Sequence, residues 1–363
     1  MNKTIRVYAT SDLITDQRVH RAATSIYNVG FKVVVTGRKP RYTNADISKP
    51  YRTKYITCVV SRGPLFYLLF NIRIFFSLVF TKYAAIYAND LDTLPGCWLA
   101  SLIRLKPLIY DSHELFAEVP ELIGHSVKQK IWRHTEKICI KRAKFVFTVS
   151  NGVAEELHKR YNVKPIVVRN LPFKRSIESF KDKRPTLIYQ GALNIGRGIE
   201  LAIDAMKFLP CYRLIIAGTG DIEIELRQRV LDGQLFDRVE FAGRIKPEEL
   251  HRLTCTAWLG LSLEEDMGLN YRYALPNKIF DYIAASVPVL VSDLPEMSNL
   301  VEEYGVGIVV KSRDAKDLAD LITSFIGDEK LRERMEHNIQ KVSMELTWGK
   351  EEVKLVEPIK SIF

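Results

Sequence analysis

Three observations predict two doubly wound α/β domains, each built on a Rossmann-like parallel sheet. The chain has 363 residues, which is more than a single hydrophobic core normally serves. Strand-like apolar runs alternate with helical patterns twice along the chain. Between the two series, residues Lys174–Pro185 are polar and charged and lack apolar periodicity. We therefore predict a linker there, between domains of residues 1–175 and 176–363.

The first domain is predicted from short runs rich in β-branched and aromatic residues, with helical patterns between most of them. These predicted strands are Ile5–Thr10, Lys32–Thr36, Tyr55–Val60, Ala85–Ala88, Leu108–Asp111, Phe145–Ser150 and Ile166–Arg169. In sheets of this type, ligands bind beyond the carboxyl ends of the strands. The residues that follow each strand are therefore the first candidates for a site.

The second domain shows the same alternation. Its predicted strands are Thr186–Gln190, Arg213–Ala217, Val239–Ala242, Trp258–Leu263, Val289–Ser292 and Ile308–Val310. A last helix is predicted around Trp348–Ile362.

Composition is that of an ordinary soluble globular protein, with 47% hydrophobic and 26% charged residues. The five cysteines are odd in number and scattered, without CxxC or paired Cys/His spacing. This pattern favours reduced thiols and a cytoplasmic protein. The segment Met1–Tyr8 runs directly into a predicted strand, so we expect no signal peptide.

Charge is distributed unevenly along the chain. Residues 1–175 carry 29 Lys and Arg against 12 Asp and Glu, a balance of +17, whereas residues 176–363 carry 24 against 31, a balance of −7. Such a basic half favours an anionic partner, such as a membrane surface or a pyrophosphate lipid. No zinc-finger, RRM or KH motif accompanies it, so we expect no nucleic acid partner.

The most apolar run, Leu65–Phe80, is shorter than the roughly 20 residues that a spanning helix needs, and it contains Arg73. Two interpretations stay open. The run forms either a crossover helix buried against the sheet or an interfacial helix whose cations lie near lipid headgroups.

The most informative motif is LPNKIFDYIAASVPVLVSD, residues 275–293. Pro276 and Asn277 open a predicted helix, and Pro288 ends it before a β-branched strand. Lys278 lies in the first turn, where a helix N-terminus favours anions, and Asp281 follows on nearly the same face. A cation for a diphosphate thus lies beside a carboxylate for a ribose diol.

This motif resembles family 4 of the retaining glycosyltransferases, and the resemblance extends over nearly the whole chain. It implies a GT-B fold, in which two Rossmann-like domains face a central cleft and the final helix crosses back to the first domain. It assigns the bonding of the ribose hydroxyls to Asp281. The alternative for Asp281 is a solvated helix residue.

The glycine-rich turn YQGALNIGRG, residues 189–198, follows a strand and precedes a predicted helix. By resemblance, Gly191 lets the backbone approach the donor phosphates, and Arg197 helps to neutralise them. The family has a second Arg where this chain has Ala192, so Arg197 and Lys278 carry most of that charge.

Two further turns are assigned to the nucleotide by resemblance. Gly218 lies in a GTGD turn, where Glu223 replaces the third glycine of a dinucleotide fingerprint and so argues against a nicotinamide enzyme. Arg244 follows a strand-glycine turn that reads the base in the family. A surface charge is the alternative for Arg244.

The acidic loop LEEDMGL, residues 263–269, resembles the family loop that bonds the donor sugar. Glu265 is the predicted contact, with Glu264 and Asp266 as substitutes, and Gly268 and Leu269 complete the loop. Asn277 joins the donor site at the helix start. An insertion at residues 270–276 separates the loop from that helix.

In the first domain, the segment YDSHE, residues 110–114, resembles the family's Asp-x-His segment. His113 is predicted to approach the transferred sugar or to orient the acceptor. The predicted acceptor side has residues that follow the first, fourth and fifth strands: Asp16, Arg18, Asp90, Asp92 and Glu114. The alternatives are a structural His and capping or solvated charges.

The resulting hypothesis is a retaining glycosyltransferase that uses a UDP- or GDP-sugar without a metal ion or other cofactor. The expected acceptor is a growing surface polysaccharide on a lipid carrier, and the expected location is cytoplasmic, peripheral on the inner face of the membrane. Two alternatives are a nucleotide-sugar epimerase of the same fold and a non-catalytic subunit that only binds the nucleotide sugar.

Overall fold

The computed structural model describes residues 3–14, 16–38, 49–60, 63–175 and 184–363. The chain forms two compact units. The first unit comprises Met1–Asn170 and Glu351–Phe363, and the second comprises Leu171–Lys350. The unit boundary thus lies a few residues before the predicted domain boundary, and most of the predicted linker falls outside the described residues.

The first unit contains one parallel sheet with the strand order β3-β2-β1-β4-β5-β6-β7. The strands are β1 (Thr4–Tyr8), β2 (Lys32–Arg38), β3 (Arg52–Ile56), β4 (Ala85–Asn89), β5 (Leu108–Ser112), β6 (Ala143–Thr148) and β7 (Ile166–Val167). The chain order reverses between β1 and β4, which creates the switch point where doubly wound sheets bind ligands.

The third strand corrects the prediction of Tyr55–Val60. Strand β3 pairs in parallel with β2 from Arg52 opposite Val34 to Ile56 opposite Arg38. Val59 lies beyond the strand and is 95% exposed. The apolar residues that suggested the later start therefore lie outside the sheet.

The helices of the first unit include one with two apolar faces. The helices that precede the domain boundary are α1 (Gln17–Asn28), α2 (Pro64–Val79), α3 (Leu94–Arg104), α4 (Ser126–Cys139) and α5 (Asn151–Tyr161). Helix α2 is the predicted apolar run. It buries Phe66, Phe70, Ile74 and Leu78 at four-residue spacing. Its other face exposes Leu65, Leu68, Ile72 and Phe76, so the buried crossover helix is present, and contact of the exposed face with lipid headgroups stays a prediction.

Within the described ranges, no helix is both long enough and apolar enough to cross a membrane.

The second unit contains a parallel sheet with the order β10-β9-β8-β11-β12-β13. The strands are β8 (Thr186–Gln190), β9 (Arg213–Ala217), β10 (Val239–Gly243), β11 (Leu259–Ser262), β12 (Val289–Ser292) and β13 (Gly307–Val310). Its switch point lies between β8 and β11. Buried apolar residues of these strands and of the surrounding helices form two hydrophobic clusters.

The helices of the second unit flank this sheet. They are α6 (Ile199–Ala205), α7 (Glu223–Asp232), α8 (Pro247–Cys255), α9 (Leu269–Arg272), α10 (Asn277–Ala284), α11 (Pro295–Tyr304), α12 (Ala315–Gly327) and α13 (Glu329–Ser343). The predicted final helix forms as two shorter ones, α14 (Trp348–Glu351) and α15 (Val353–Lys360). Glu351 accepts hydrogen bonds from the backbone and guanidinium of Arg169, which ties the returning segment to the first unit.

Candidate functional site

A pocket of about 380 Å³ lies at the carboxyl end of β8 and the N-terminus of α10. The pocket is lined by Tyr189, Gln190, Gly191, Ala192, Arg197, Leu250, Pro276, Asn277, Lys278 and Asp281. Five of the predicted donor residues are therefore brought together, namely Gly191, Arg197, Asn277, Lys278 and Asp281. This volume falls in the range of about 300–1,000 Å³ that is usual for small-molecule sites.

The carboxylate of Asp281 is held by a side chain that the sequence analysis did not assign. Gln190 donates from Nε2 to Oδ2 of Asp281 at 3.1 Å. Its Oε1 accepts from Oγ1 of Thr254 at 2.9 Å, which fixes the orientation of the amide. The one sequence signal for Gln190 is its position at the end of β8, directly before Gly191.

Lys278 is buried and forms an ion pair that the sequence did not predict. Its Nζ lies 2.7 Å from Oε1 of Glu264, and Nη1 of Arg197 lies 3.7 Å from the same oxygen. Ser262 donates to the other carboxylate oxygen at 2.7 Å. Burial alone would raise the pKa of Glu264, but Lys278 and Arg197 outweigh it, and the pKa lies below its ordinary value.

Aromatic rings support both cations. Nζ of Lys278 lies 4.2 Å from the ring centroid of Tyr189, and the guanidinium carbon of Arg197 lies 5.0 Å from that of Tyr271. Tyr271 belongs to the segment 270–276 and donates its hydroxyl to the Ile195 carbonyl at 3.0 Å. This segment thus packs against Arg197 and helps to position it.

Glycines allow the loops beneath this pocket to approach closely. Gly218 has φ 150°, and a Cβ there would lie 1.8 Å from the carbonyl oxygen of Gly191. Its backbone N–H donates to the carbonyl of Gly243. Gly218 therefore supports the turn that contains Gly191 and is not among the residues that line the pocket.

The two adjacent glutamates of the acidic loop have different surroundings. The carboxylate of Glu265 is about half exposed and pairs with Arg313 at 3.2 Å. Glu264, which had been the substitute, is the carboxylate beside Lys278 and Arg197, because the chain turns inward after β11. Glu264 is thus the acid that faces the two cations, and a contact of Glu265 with the donor sugar stays a prediction.

Three other predicted donor residues lie outside the pocket lining. Gly268 has φ 122° and caps α9, which begins at Leu269. Arg244 is exposed. None of the three lines the pocket, and their contacts with the donor stay predictions.

In the first unit, Asp111 is the centre of a buried polar cluster at the switch point. Arg18 donates hydrogen bonds to its carboxylate from Nε at 3.1 Å and from Nη2 at 2.6 Å. The Tyr87 hydroxyl also donates to this carboxylate, at 2.7 Å. Arg18 also donates to the Val168 carbonyl. The guanidinium of Arg18 is thus buried and bound to Asp111, and its contact with the acceptor stays a prediction.

His113 lies between two carboxylates. Its Nδ1 is 3.1 Å from Oδ2 of Asp90, and its Nε2 is 3.4 Å from Oδ2 of Asp111. Its backbone N–H also donates to Asp90 at 2.8 Å. Asp90 adopts the left-handed φ of 59°, which non-glycine residues seldom adopt. Although burial lowers the pKa of His113, Asp90 and Asp111 outweigh it, and the pKa lies well above its ordinary value.

Asp92 is a buried acid in the same region. It accepts a hydrogen bond from Thr10. Burial, and then the neighbouring charge of Asp90, raises its pKa to about 8. Burial thus favours the neutral form of Asp92, whereas Arg18 and His113 outweigh burial at Asp111 and hold its pKa below the ordinary value.

The remaining acceptor-side predictions have local structural explanations. Asp16 caps α1 by accepting from the Val19 backbone N–H, as the capping alternative predicts, and its contact with the acceptor stays a prediction. Glu114 is half-buried beside His113, and its carbonyl accepts from Ser112.

Among the described residues, no group of three or more His, Cys, Asp and Glu is placed to hold a metal ion. The five cysteines are all free, as their scattered positions predict.

Two family models together match most of the chain. The model described as Glycosyltransferase Family 4 matches residues 17–171, and the model described as Glycosyl transferases group 1 matches residues 172–342. The two matches meet where the two structural units meet.

Individual relatives agree with the family models. The chain is 24% identical over 266 residues to an alpha-D-kanosaminyltransferase of Streptomyces kanamyceticus, covering 66% of this chain and 67% of that enzyme. It is 32% identical over 173 residues to an O-antigen chain mannosyltransferase of Salmonella typhimurium, covering 46% and 47%. The chain thus spans between about half and two thirds of the length of these relatives.

Among solved structures, sucrose-phosphate synthase from Thermosynechococcus elongatus has a TM-score of 0.79 at 18% identity, covering 99% of both chains. This likeness shows the fold. The chain therefore belongs to glycosyltransferase family 4 and has the GT-B fold, which confirms the predicted family and fold class. The relatives are named as transferases, so neither the epimerase nor the non-catalytic subunit is favoured.

Proposed function

We propose that this glycosyltransferase moves a sugar from a UDP- or GDP-sugar, with retention of configuration, to a glycan or lipid-linked glycan acceptor in surface polysaccharide biosynthesis. The observation that carries the proposal is the pocket at the N-terminus of α10, where Lys278 and Arg197 lie beside Asp281. A cationic wall and a carboxylate in one pocket match the diphosphate and ribose of a nucleotide sugar.

The donor site would work mainly through charge. The positive end of the helix dipole at the N-terminus of α10 favours a phosphate. Arg197 and Lys278 would stabilise the negative charge that grows on the diphosphate as the sugar-phosphate bond breaks. Glu264 would hold both cations in position, and Asp281, oriented by Gln190, would bond the ribose hydroxyls.

In this proposal, the diphosphate is neutralised by side chains and a helix N-terminus, so turnover requires no metal ion. His113, held by Asp90 and Asp111, would donate to a hydroxyl of the transferred sugar or orient the acceptor. The name of the O-antigen chain mannosyltransferase supports a surface polysaccharide as the product.

We also propose that the first unit associates with anionic membrane surfaces from the cytoplasmic side. Two observations support this proposal, namely the net positive charge of residues 1–175 and the exposed apolar face of α2. Cations beside apolar side chains bind anionic headgroups and the adjoining acyl region together.

A screen of nucleotide sugars by thermal shift would identify the donor, and the product would then be analysed with and without a lipid-linked acceptor. We expect one UDP- or GDP-sugar to raise the melting temperature and an acceptor-dependent product with the donor's anomeric configuration. An altered sugar formed without acceptor would instead indicate an epimerase. Binding without any chemical change would indicate a non-catalytic subunit.

A further inference from the structure

A second pocket lies in the first unit, between helices α2, α3 and α4. It has a volume of about 490 Å³. Its lining is mostly apolar and includes Tyr67, Leu68, Asn71, Lys128, Ile131 and Trp132. None of these residues belongs to the donor site or to the polar cluster around Asp111, so the proposed chemistry leaves this pocket unused.

Aromatic packing makes the wall of this pocket rigid. The rings of Tyr67 and Trp132 pack edge to face with centroids 5.3 Å apart. Phe116 packs against Trp132 at 5.0 Å. By contrast, Leu68 and Ile131 lie at the opening and are 58% and 60% exposed. A preformed wall with exposed aliphatic side chains at the opening favours an apolar ligand that enters from solvent or from a lipid phase.

The three helices around this pocket carry mainly positive charge, and Arg133 of α4 pairs with Glu118 of the adjoining turn at 2.7 Å. The three helices carry six cations, which are Arg73, Arg104, Lys128, Lys130, Arg133 and Lys137. Their one acid is Glu136, which is buried and accepts hydrogen bonds from Tyr110 and Tyr161. The ligand that fits an apolar pocket on such helices is an amphiphile with an anionic head group.

The pocket also adjoins the polar cluster on the acceptor side. Asn71 lines the pocket, and its Nδ2 donates to the carbonyl of Asp92 at 2.7 Å. Its Oδ1 accepts from the Gly96 backbone N–H at 2.8 Å. A single asparagine thus separates the pocket from the turn that contains Asp90 and Asp92. A ligand with its chain in the pocket would therefore lie one side chain away from the turn whose Asp90 pairs with His113.

We propose that this pocket binds the hydrocarbon chain of the anionic, lipid-linked acceptor. The inference rests on the proposed function and identifies where its acceptor is held. A bilayer surface is the competing occupant. A bilayer would contact exposed apolar residues of all three helices without any need for a pocket, so a test must separate pocket residues from surface residues.

Two variants form a matched pair for this test. Leu68 lines the pocket and is 58% exposed, whereas Ile103 of α3 is 57% exposed and does not line it. Leu68→Glu and Ile103→Glu remove similar apolar surface and add the same charge. Both positions are solvent-exposed, so we expect both variants to fold, which circular dichroism would verify.

The probes are butyl phosphate and dodecyl phosphate below their micelle concentrations, titrated calorimetrically into the intact chain without vesicles or nucleotide. We expect the wild type and Ile103→Glu to bind the dodecyl ester at least about tenfold more tightly than the butyl ester. Leu68→Glu should bind the two esters with nearly the same affinity. The inference would be overturned if the wild type bound both esters with equal affinity. It would also be overturned if Leu68→Glu kept the full preference for the dodecyl ester, or if both variants lost this preference equally.

A separate nucleotide titration distinguishes the two proposals. If the wild type binds nucleoside diphosphate but shows no dependence on chain length, only this inference fails. If it shows the chain-length dependence but binds no nucleotide, the proposed function fails and the pocket assignment stands.

Discussion

Lys278 and Glu264 form a buried ion pair, with Nζ 2.7 Å from Oε1. The two residues are separated by a loop and the short helix α9, and Arg197 approaches the same carboxylate. Because one anion faces two cations, the cluster of Glu264, Lys278 and Arg197 has a net positive charge. Glu264 therefore orders the cations without cancelling their attraction for a diphosphate.

The first prediction concerns the stability of this ion pair. Glu264→Gln leaves the buried Lys278 without its counter-ion and should reduce the free energy of unfolding at pH 7 by about 3–5 kcal/mol. The folded-state pKa of Glu264 is lowered, so the stabilisation is present above the unfolded pKa and is lost as pH falls through the folded pKa. The difference in the free energy of unfolding between the wild type and Glu264→Gln should therefore become smaller in acid. Chemical denaturation at several pH values measures it.

The neighbouring Glu265 supplies the control. Its carboxylate is about half exposed and pairs with Arg313 at the surface, so Glu265→Gln should change the free energy of unfolding by only about 0.5 kcal/mol. Equal effects of the two substitutions at pH 7 would contradict the buried pair.

The second prediction tests the ribose contact. Asp281→Ala should weaken nucleoside diphosphate binding by about 1.5–3 kcal/mol, the range for hydrogen bonds to charged groups. Gln190→Ala should have a smaller effect in the same direction, because it only orients the carboxylate. Titration calorimetry measures both, with the exposed Asp293→Ala as the control. Unchanged affinity in Asp281→Ala would reject the assignment.

The third prediction concerns charge stabilisation. Arg197→Ala should lower kcat on the order of 100-fold, and more than it raises KM, because the developing diphosphate charge interacts with Arg197 most strongly in the transition state. Turnover should persist in EDTA. Steady-state kinetics measure kcat and KM for the wild type, for Arg197→Ala and for the surface control Arg229→Ala. Full activity in Arg197→Ala, or complete loss of wild-type activity in chelator, contradicts the scheme.

The fourth prediction concerns His113. His113→Ala should lower kcat while nucleotide affinity stays nearly unchanged, because His113 is assigned to the sugar or acceptor and not to the diphosphate. The exposed His125→Ala is the control. Asp90→Asn should lower the pKa of His113 by removing one of its two carboxylates, which an NMR titration of the ring would detect. A pKa that is unchanged in Asp90→Asn would reject the role given to Asp90.

The fifth prediction concerns membrane association. The protein should float with anionic vesicles at low salt and be released at high salt, because screening weakens its attraction to headgroups. Combined Lys128→Glu and Lys130→Glu substitutions on α4 should reduce flotation. The matched pair Lys311→Glu and Lys316→Glu in the second unit should not. Equal binding to neutral and anionic vesicles would remove the electrostatic part of the proposal.

Local patterns in the sequence were sufficient for most of the fold. Strands β8, β9 and β12 were predicted with the bounds they have in the structure, because each is a short apolar run between polar or turn-forming residues. The start of α10 at Asn277 was also predicted, since proline and polar residues precede an apolar helical face. The β3 prediction failed because register with β2, and not local apolarity, sets the limits of that strand.

The partners of the charged side chains depended on tertiary structure. Arg18 meets Asp111 from 93 positions away, and Gln190 meets Asp281 from 91. Glu264 and Glu265 are adjacent acids of the same type, yet one is buried against Lys278 and the other faces Arg313. Helix and strand periodicity is a local property of the chain, whereas burial and counter-ion choice arise when distant strands converge at the edge of a sheet.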